Sequence, residues 1–278
     1  MQQKKIRIGI FASSQSLIER VQVLAARQHD QIFINTQGLD DAIPVALEMV
    51  RNGVETIISR RGTAHLLREN LRIPVLSFPH RSLDILISLK QAAALGGKIL
   101  LPVFRQQWSG LPTLEDMLQI ELIQKVYEDK ASLKRIIATA YDEGCEIVVG
   151  GSVTQQIAEA EGIKFIEIRT SDEDIAATIE DAKSIALSAR DQEATAQRYH
   201  AIIDAASDGI IAVDEEGRIT TLNATAASTL KLDRGEVEGR HINQIRPDSP
   251  IDRVLLTQNP IYDRLTRIGK DRYVFNYR

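Results

Sequence analysis

The segment Ser59-Arg60-Arg61-Gly62-Thr63 places two guanidiniums and two hydroxyls around one glycine. An apolar run ends at Ser59 and an amphipathic stretch opens near Thr63, so the segment reads as a strand-to-helix turn. Backbone N–H groups at a helix start attract anions, and guanidinium forks match carboxylate and phosphate oxygens. The plainer reading is a solvated turn with Thr63 as N-cap. Further along, Gly150-Gly151-Ser152-Val153-Thr154 holds an equivalent place. Its glycines let a ligand come close to the backbone. Its plainer reading is a helix start capped by Ser152.

These two turns belong to a repeat. Gly53 matches Gly144, Glu55 matches Glu146, and Ile57-Ile58 coincide with Val148-Val149. Thr63 matches Thr154, and a second apolar run follows at Ile73 and at Ile163. One strand–turn–helix–strand unit used twice implies two similar lobes facing each other, with small ligands bound in the cleft between them.

Other polar residues follow strands in the same way. Ser13 and Ser14 follow the first strand and serve equally well as ligand contacts or as plain N-caps. Arg105, with Gln106, Gln107 and Trp108, holds the matching place in the second lobe. Trp108 fits a stacking surface or a cover over the lobe junction. Pro79-His80-Arg81-Ser82 precedes a helix bearing Asp84, which suits a first-turn acid or a clamp on Arg60 or Arg61. Signs of catalysis are poor. The five histidines show no metal-ligand spacing, and GxSxG, Walker A and GxGxxG patterns are absent. Cys145 reads as a small core residue. A lyase or isomerase acting on a small acid is the enzymatic alternative, but neither matched turn holds a paired acid and base.

The elements that position these turns alternate strictly between strand and helix. Strands are expected at Ile6–Phe11, Gln31–Asn35, Val54–Ser59 and Pro74–Phe78. Helices are expected at Ser14–Gln28, Asp40–Asn52, Thr63–Asn70 and Ser82–Leu95. The second set runs from Lys98–Phe104 through Thr113–Leu118, Glu121–Tyr127, Ala131–Glu143, Glu146–Val149 and Val153–Ala160 to Lys164–Ile168. Such alternation implies an α/β fold, here two similar Rossmann-like lobes with parallel sheets, residues 1–96 and 97–190. Ligands of such sheets sit beyond the carboxyl ends of the strands, which selects the turns named above.

From Ser171 a long helical pattern begins, with Ser171 as N-cap and acids in the first turn. The polar stretch Ala189–Gln197 is a place for it to break. Beyond it, Gly209–Val213 and Arg218–Leu222 read as a hairpin and Asn223 caps a small-residue helix. Tyr262–Ile268 and Arg272–Tyr277 read as a second hairpin, cut short where the chain stops.

Composition narrows the function classes. A 44% hydrophobic content supports real cores, and a net charge of −4 supplies no basic field for nucleic acid. The excess acidity lies beyond residue 171. A lone cysteine excludes an internal disulfide and fits a reducing cytoplasm. No apolar run reaches the length of a membrane span, and the N-terminus lacks a signal-peptide core.

The run Ser59-Arg60-Arg61-Gly62-Thr63-Ala64, then Ile73-Pro74-Val75, then a helix carrying Asp84, resembles the N-terminal sensor region of propionate-catabolism activators, which are sigma-54-dependent transcriptional regulators. The resemblance covers residues 5–190. From about Gln192, residues 191–278 resemble a PAS domain (an α+β fold), incomplete at its C-terminus, with Asn223 at the usual Asn position. It implies a regulatory sensor rather than an enzyme, with 2-methylcitrate as the ligand expected of the family. It also implies an ATPase that contacts sigma-54 polymerase and a DNA reader, neither within this chain. Two departures bear on the ligand. Arg61 stands where the family usually has Gly, and the stretch Leu101–Trp108 differs from the usual first strand and loop of the second lobe.

The resulting expectation is a small organic anion, a carboxylate, held between the lobes. Its site would draw on Ser13, Ser14, Ser59, Arg60, Arg61, Gly62, Thr63, Asp84, Arg105, Gly150, Gly151, Ser152 and Thr154. Signalling would pass along the helix to the PAS domain in a cytoplasmic homodimer or higher oligomer, with no membrane contact. No cofactor is expected: His200 and His241 are the nominal haem ligands of a PAS-based alternative, and no cysteine is available there for a flavin adduct.

Overall fold

Each half of the repeat folds into a four-stranded parallel sheet with the same strand order. The computed structural model describes residues 5–26, 30–247, 249, 251–257, 264–268 and 272–276. In the first lobe β1 (Arg7–Phe11), β2 (Gln31–Asn35), β3 (Thr56–Ser59) and β4 (Val75–Ser77) lie in the order β2-β1-β3-β4. They are joined by α1 (Gln15–Ala25), α2 (Ala42–Arg51) behind a 3-10 turn at Leu39–Asp41, and α3 (Arg61–Asn70). The connection α4 (Ser82–Ala93) leads to β5 (Lys98–Phe104), α5 (Leu111–Leu118), β6 (Leu122–Tyr127), α6 (Lys130–Asp142), β7 (Cys145–Gly150), α7 (Ser152–Ala160) and β8 (Lys164–Glu167). These strands repeat the order as β6-β5-β7-β8.

The registers match as well. Ile8 pairs across to Ile32 and Thr56, and Ile99 pairs to Leu122 and Ile147. The central strands are apolar along most of their length, as sheets covered on both faces require. In both lobes the chain reverses its winding direction between the first and third strands. The carboxyl ends of those strands therefore border the crevice where ligands of open α/β sheets bind.

Chain order and packing part company at two helices. After Ser171, α8 (Asp172–Ala205) packs Ile175, Ile179, Ala182 and Ala186 against Ile6, Ile8, Ile10 and Ile58 of the first lobe's sheet. In return α4 places Ile85, Leu89 and Ala92 against Ile99, Leu101, Ile147 and Val149 of the second. Each lobe thus covers one face of its sheet with a helix supplied by the other's stretch of chain. Burying an isoleucine of this kind contributes about 1.5–3 kcal/mol.

Several helix limits differ from the sequence expectation, two of them at the matched turns. Helix α3 begins at Arg61, so Arg60 rather than Thr63 is its N-cap. Helix α7 begins at Ser152 behind Gly151, so Ser152 is not the cap. The polar stretch Ala189–Gln197 does not break α8, which runs unbroken over 34 residues. Its start follows the expected chemistry: the Ser171 hydroxyl accepts from the Asp174 N–H at 3.0 Å, and Asp172, Glu173 and Asp174 fill the first turn.

Residues 1–190 and 191–278 form two compact units. In the second, β9 (Ile211–Val213) and β10 (Ile219–Leu222) make an antiparallel hairpin. Asn223 caps α9 (Ala224–Leu230) and is fully buried. Its side-chain oxygen accepts from Ile210 and Ala226 N–H, and its amide donates to the Ile203 and Asp208 carbonyls. Short helices α10 (Arg234–Val237), α11 (Ile242–Ile245) and α12 (Ile251–Thr257) follow, then the antiparallel pair β11 (Arg264–Ile268) and β12 (Arg272–Asn276). The expected end of the first helix at residues 27–28, and the expected strand and turn residues 262–263, 269–271 and 277, lie outside the described residues.

Candidate functional site

Strand β3 is buried throughout and delivers Ser59 to the crevice, where its hydroxyl lies 3.5 Å from the Phe11 carbonyl. The next residues open α3 without a side-chain cap, so its first-turn N–H groups have no capping side chain. Strand β7 does the same in the second lobe, and α7 also starts without a side-chain cap. Both starts border a single cavity of about 80 Å³ between the lobes. Of the expected residues, its wall contains Ser13, Ser59, Arg60, Arg61, Gly62, Thr63, Gly150, Gly151, Ser152 and Thr154.

Arg60 crosses from one lobe to the other. Its Nη1 donates to the Ile168 carbonyl at 2.8 Å and its Nη2 to Glu167 Oε1 at 3.2 Å. The same Glu167 oxygen accepts from the Ser14 hydroxyl at 3.0 Å. The Arg60 and Glu167 side chains are only 11% and 15% exposed, which makes this a nearly buried ion pair. Burial lowers the Arg60 pKa and the Glu167 charge opposes that shift. Gly151 lies beside this crossing, where a Cβ would make only an ordinary van der Waals contact with Arg60 Nη1 at 3.5 Å. Arg61, by contrast, is exposed at the cavity rim. Thr63 is buried and its hydroxyl accepts from the Leu39 N–H at 2.8 Å, tying α3 to the turn before α2.

Three expected residues stand elsewhere. Ser14 is the N-cap of α1, accepts from Leu17 N–H, and reaches the site only through Glu167. Asp84 accepts from the Arg81 N–H at 3.1 Å at the start of α4, rather than clamping Arg60 or Arg61. It borders a different depression, beside Arg20, Arg169 and Asp172. Arg105 turns away to pair with Glu69 of the first lobe at 2.6 and 3.1 Å, with its guanidinium over the Phe104 ring. It fastens the lobes outside the cavity.

The cavity also contains groups that the sequence did not single out as ligand contacts. Phe104 and Tyr127 meet edge to face at 5.4 Å, and Phe11, Leu39, Val153 and Ile168 complete much of the apolar wall. Burial pushes the Tyr127 phenol up to about 12, so it is a neutral donor. Trp108 lines the cavity and packs against the second lobe's core beneath α4 and α5. His80 lines the cavity too, and burial together with Arg60 and Arg61 brings its pKa down to about 4. The next residue, Arg81, pairs with the buried Asp174 in the first turn of α8. The signal for Glu167 and Ile168 was their place at the end of the last strand, where the rule for open sheets also applies.

The model of the propionate catabolism activator family matches residues 26–192, more than half of the chain. The chain belongs to that family. The matched region ends within α8, and a PAS fold model matches residues 197–269. The lobes of this propionate catabolism activator region also match a crystal structure of an NtrC family transcriptional regulator from Clostridium acetobutylicum, with a TM-score of 0.60 and 20% identity. That match covers 66% of this chain and 98% of the other, and it shows the shared two-lobed fold. A curated relative, Sensor protein CitS of Halalkalibacterium halodurans, is 33% identical over 82 residues, which span 29% of this chain and 15% of that protein. Among the described residues no helix is long and apolar enough to cross a membrane.

Proposed function

We propose that this chain is the ligand-sensing part of a sigma-54-dependent transcriptional regulator, and that a small organic anion binds between the two lobes. The observation that carries this reading is the meeting of both repeated turns, with Arg60 and Arg61, on one inter-lobe cavity. Two helix starts and two guanidiniums favour negative charge, and a carboxylate matches their geometry. Lobe closure would draw on differential affinity for the open and closed arrangements. It would move α8, whose start is tied to the site through Glu167 on the preceding strand and through Arg81–Asp174. The helix then leads to the PAS fold, and from there to ATPase and DNA-binding domains of the kind such regulators carry. The setting would be a cytoplasmic homodimer or higher oligomer.

A thermal-shift screen against propionate, succinate, citrate, 2-methylcitrate and branched-chain acids tests the reading. A ligand of the folded state raises stability as RT ln(1 + [L]/Kd). A saturable rise that is lost in Arg61→Ala, at unchanged folding, supports an anion site at this cavity. A flat response to every acid, with folded protein, would rule it out.

A further inference from the structure

Two residues of the cavity wall each carry a buried side-chain nitrogen that makes no hydrogen bond among the described residues: Arg60 Nε and His80 Nε2. Buried polar atoms nearly always have partners, so two unsatisfied atoms on one cavity indicate groups that a ligand completes. They belong to separate elements, the start of α3 and the loop before α4, whose residues line the same cavity.

We propose that His80 is a ligand-contacting residue that takes up a proton as an organic anion enters the cavity, an inference that rests on the anion-binding reading above. Without an anion, His80 is neutral at pH 7, because burial and then the Arg60 and Arg61 charges oppose its protonation down to about pH 4. The other titratable groups on the cavity wall are Arg60, Arg61 and the neutral Tyr127. No carboxylate is among the wall residues. Glu167 on β8 is engaged by Arg60 and Ser14, Asp174 on α8 is held by Arg81, and Asp84 caps α4.

An entering polycarboxylate changes the sign of the charge that His80 faces. It stabilises the imidazolium and gains a charge-assisted hydrogen bond from Nε2–H. The proton comes from solvent and is carried on the imidazole while the anion is bound, so each binding event consumes up to one proton. Affinity then rises as pH falls from 8 toward 6. An acid with two or more ionised carboxylates gains more from this than a monoacid, because one end can meet Arg60 Nε and another the protonated His80.

The test uses the full chain. Histidine side-chain NMR titrates His80 in the free protein, and calorimetry at pH 6.5 in buffers of different ionisation enthalpy measures proton uptake with succinate and citrate. Free His80 is expected to stay neutral below pH 5. At least one acid is expected to bind with uptake of about one proton, and His80→Gln is expected to abolish the uptake and weaken binding about tenfold at pH 6 while changing it little at pH 8. An ordinary His80 midpoint near 6.5, binding without uptake, or uptake that persists in His80→Gln would each overturn this inference and leave the anion site standing. No saturable binding of either acid would overturn the anion site and this inference together.

Discussion

The turns at Ser59–Thr63 and Gly150–Thr154 are the same device built twice with opposite side chains. Both follow a buried strand end, both have an extended N-cap without a side-chain bond, and both place Thr third in the helix. The first turn carries charge and bulk at Arg60 and Arg61, and the second carries the bare backbone of Gly150 and Gly151. The difference shows how two copies of one helix start can line a single cavity with unlike chemistry. One copy supplies the guanidinium that reaches Glu167 and the Ile168 carbonyl, and the other supplies glycine backbone beside it.

Removing the charged half should have the largest effect. Arg60→Ala leaves Glu167 nearly buried without its cation, and breaking such a pair costs about 3–5 kcal/mol. Denaturant unfolding checks this, and a cost below 1 kcal/mol would show that the pair does not fasten the lobes. Next comes pH. His80 has a folded pKa of about 4 against 6.5 for the ordinary group, so the unfolded chain binds more protons between those values. Stability therefore falls as pH drops from about 6.5 and levels off below 4, by a total of about 3 kcal/mol from this group. In His80→Gln the slope across that window should shrink by that amount in parallel melts.

Smaller effects sharpen the contrast between crowding and space. A Cβ on Gly38 would stand 2.3 Å from Val153 Cγ2, on the opposite side of the cleft. Gly38→Ala should cost about 1–3 kcal/mol through overpacking and should loosen the closed lobes, read as increased proteolysis or a larger hydrodynamic radius. Arg61→Ala stands at the other end of the scale. The side chain is exposed, so stability should stay within about 0.5 kcal/mol while any anion response weakens. A large loss of stability would mean that Arg61 holds structure as well.

The β/α alternation and the two turns were legible because period and punctuation are local properties. Gly53, with φ +84, ends the stretch after α2 as its glycine signal implied. The exchange of α4 and α8 between lobes was not legible, since an apolar helix face does not name the sheet it covers. Arg105 and Asp84 were drawn to the site by their positions after a strand and before a helix. Their partners, Glu69 and the Arg81 N–H, are matters of side-chain direction that spacing does not carry. Helix α8 survives its polar stretch because Glu, Ala, Gln and Arg are good helix formers even without an apolar face.

The exchanged helices also set an order of events during synthesis. The face of β1 that bears Ile8 and Ile10 packs against both α1 and Ile175–Ala186 of α8, so the α8 part of its cover emerges long after it does. At about 5–20 residues per second, that part of the apolar surface stays open for roughly 10–35 s on the ribosome. The first lobe's sheet therefore lacks part of its cover until the second lobe has been made, and the amino-terminal half expressed alone should aggregate.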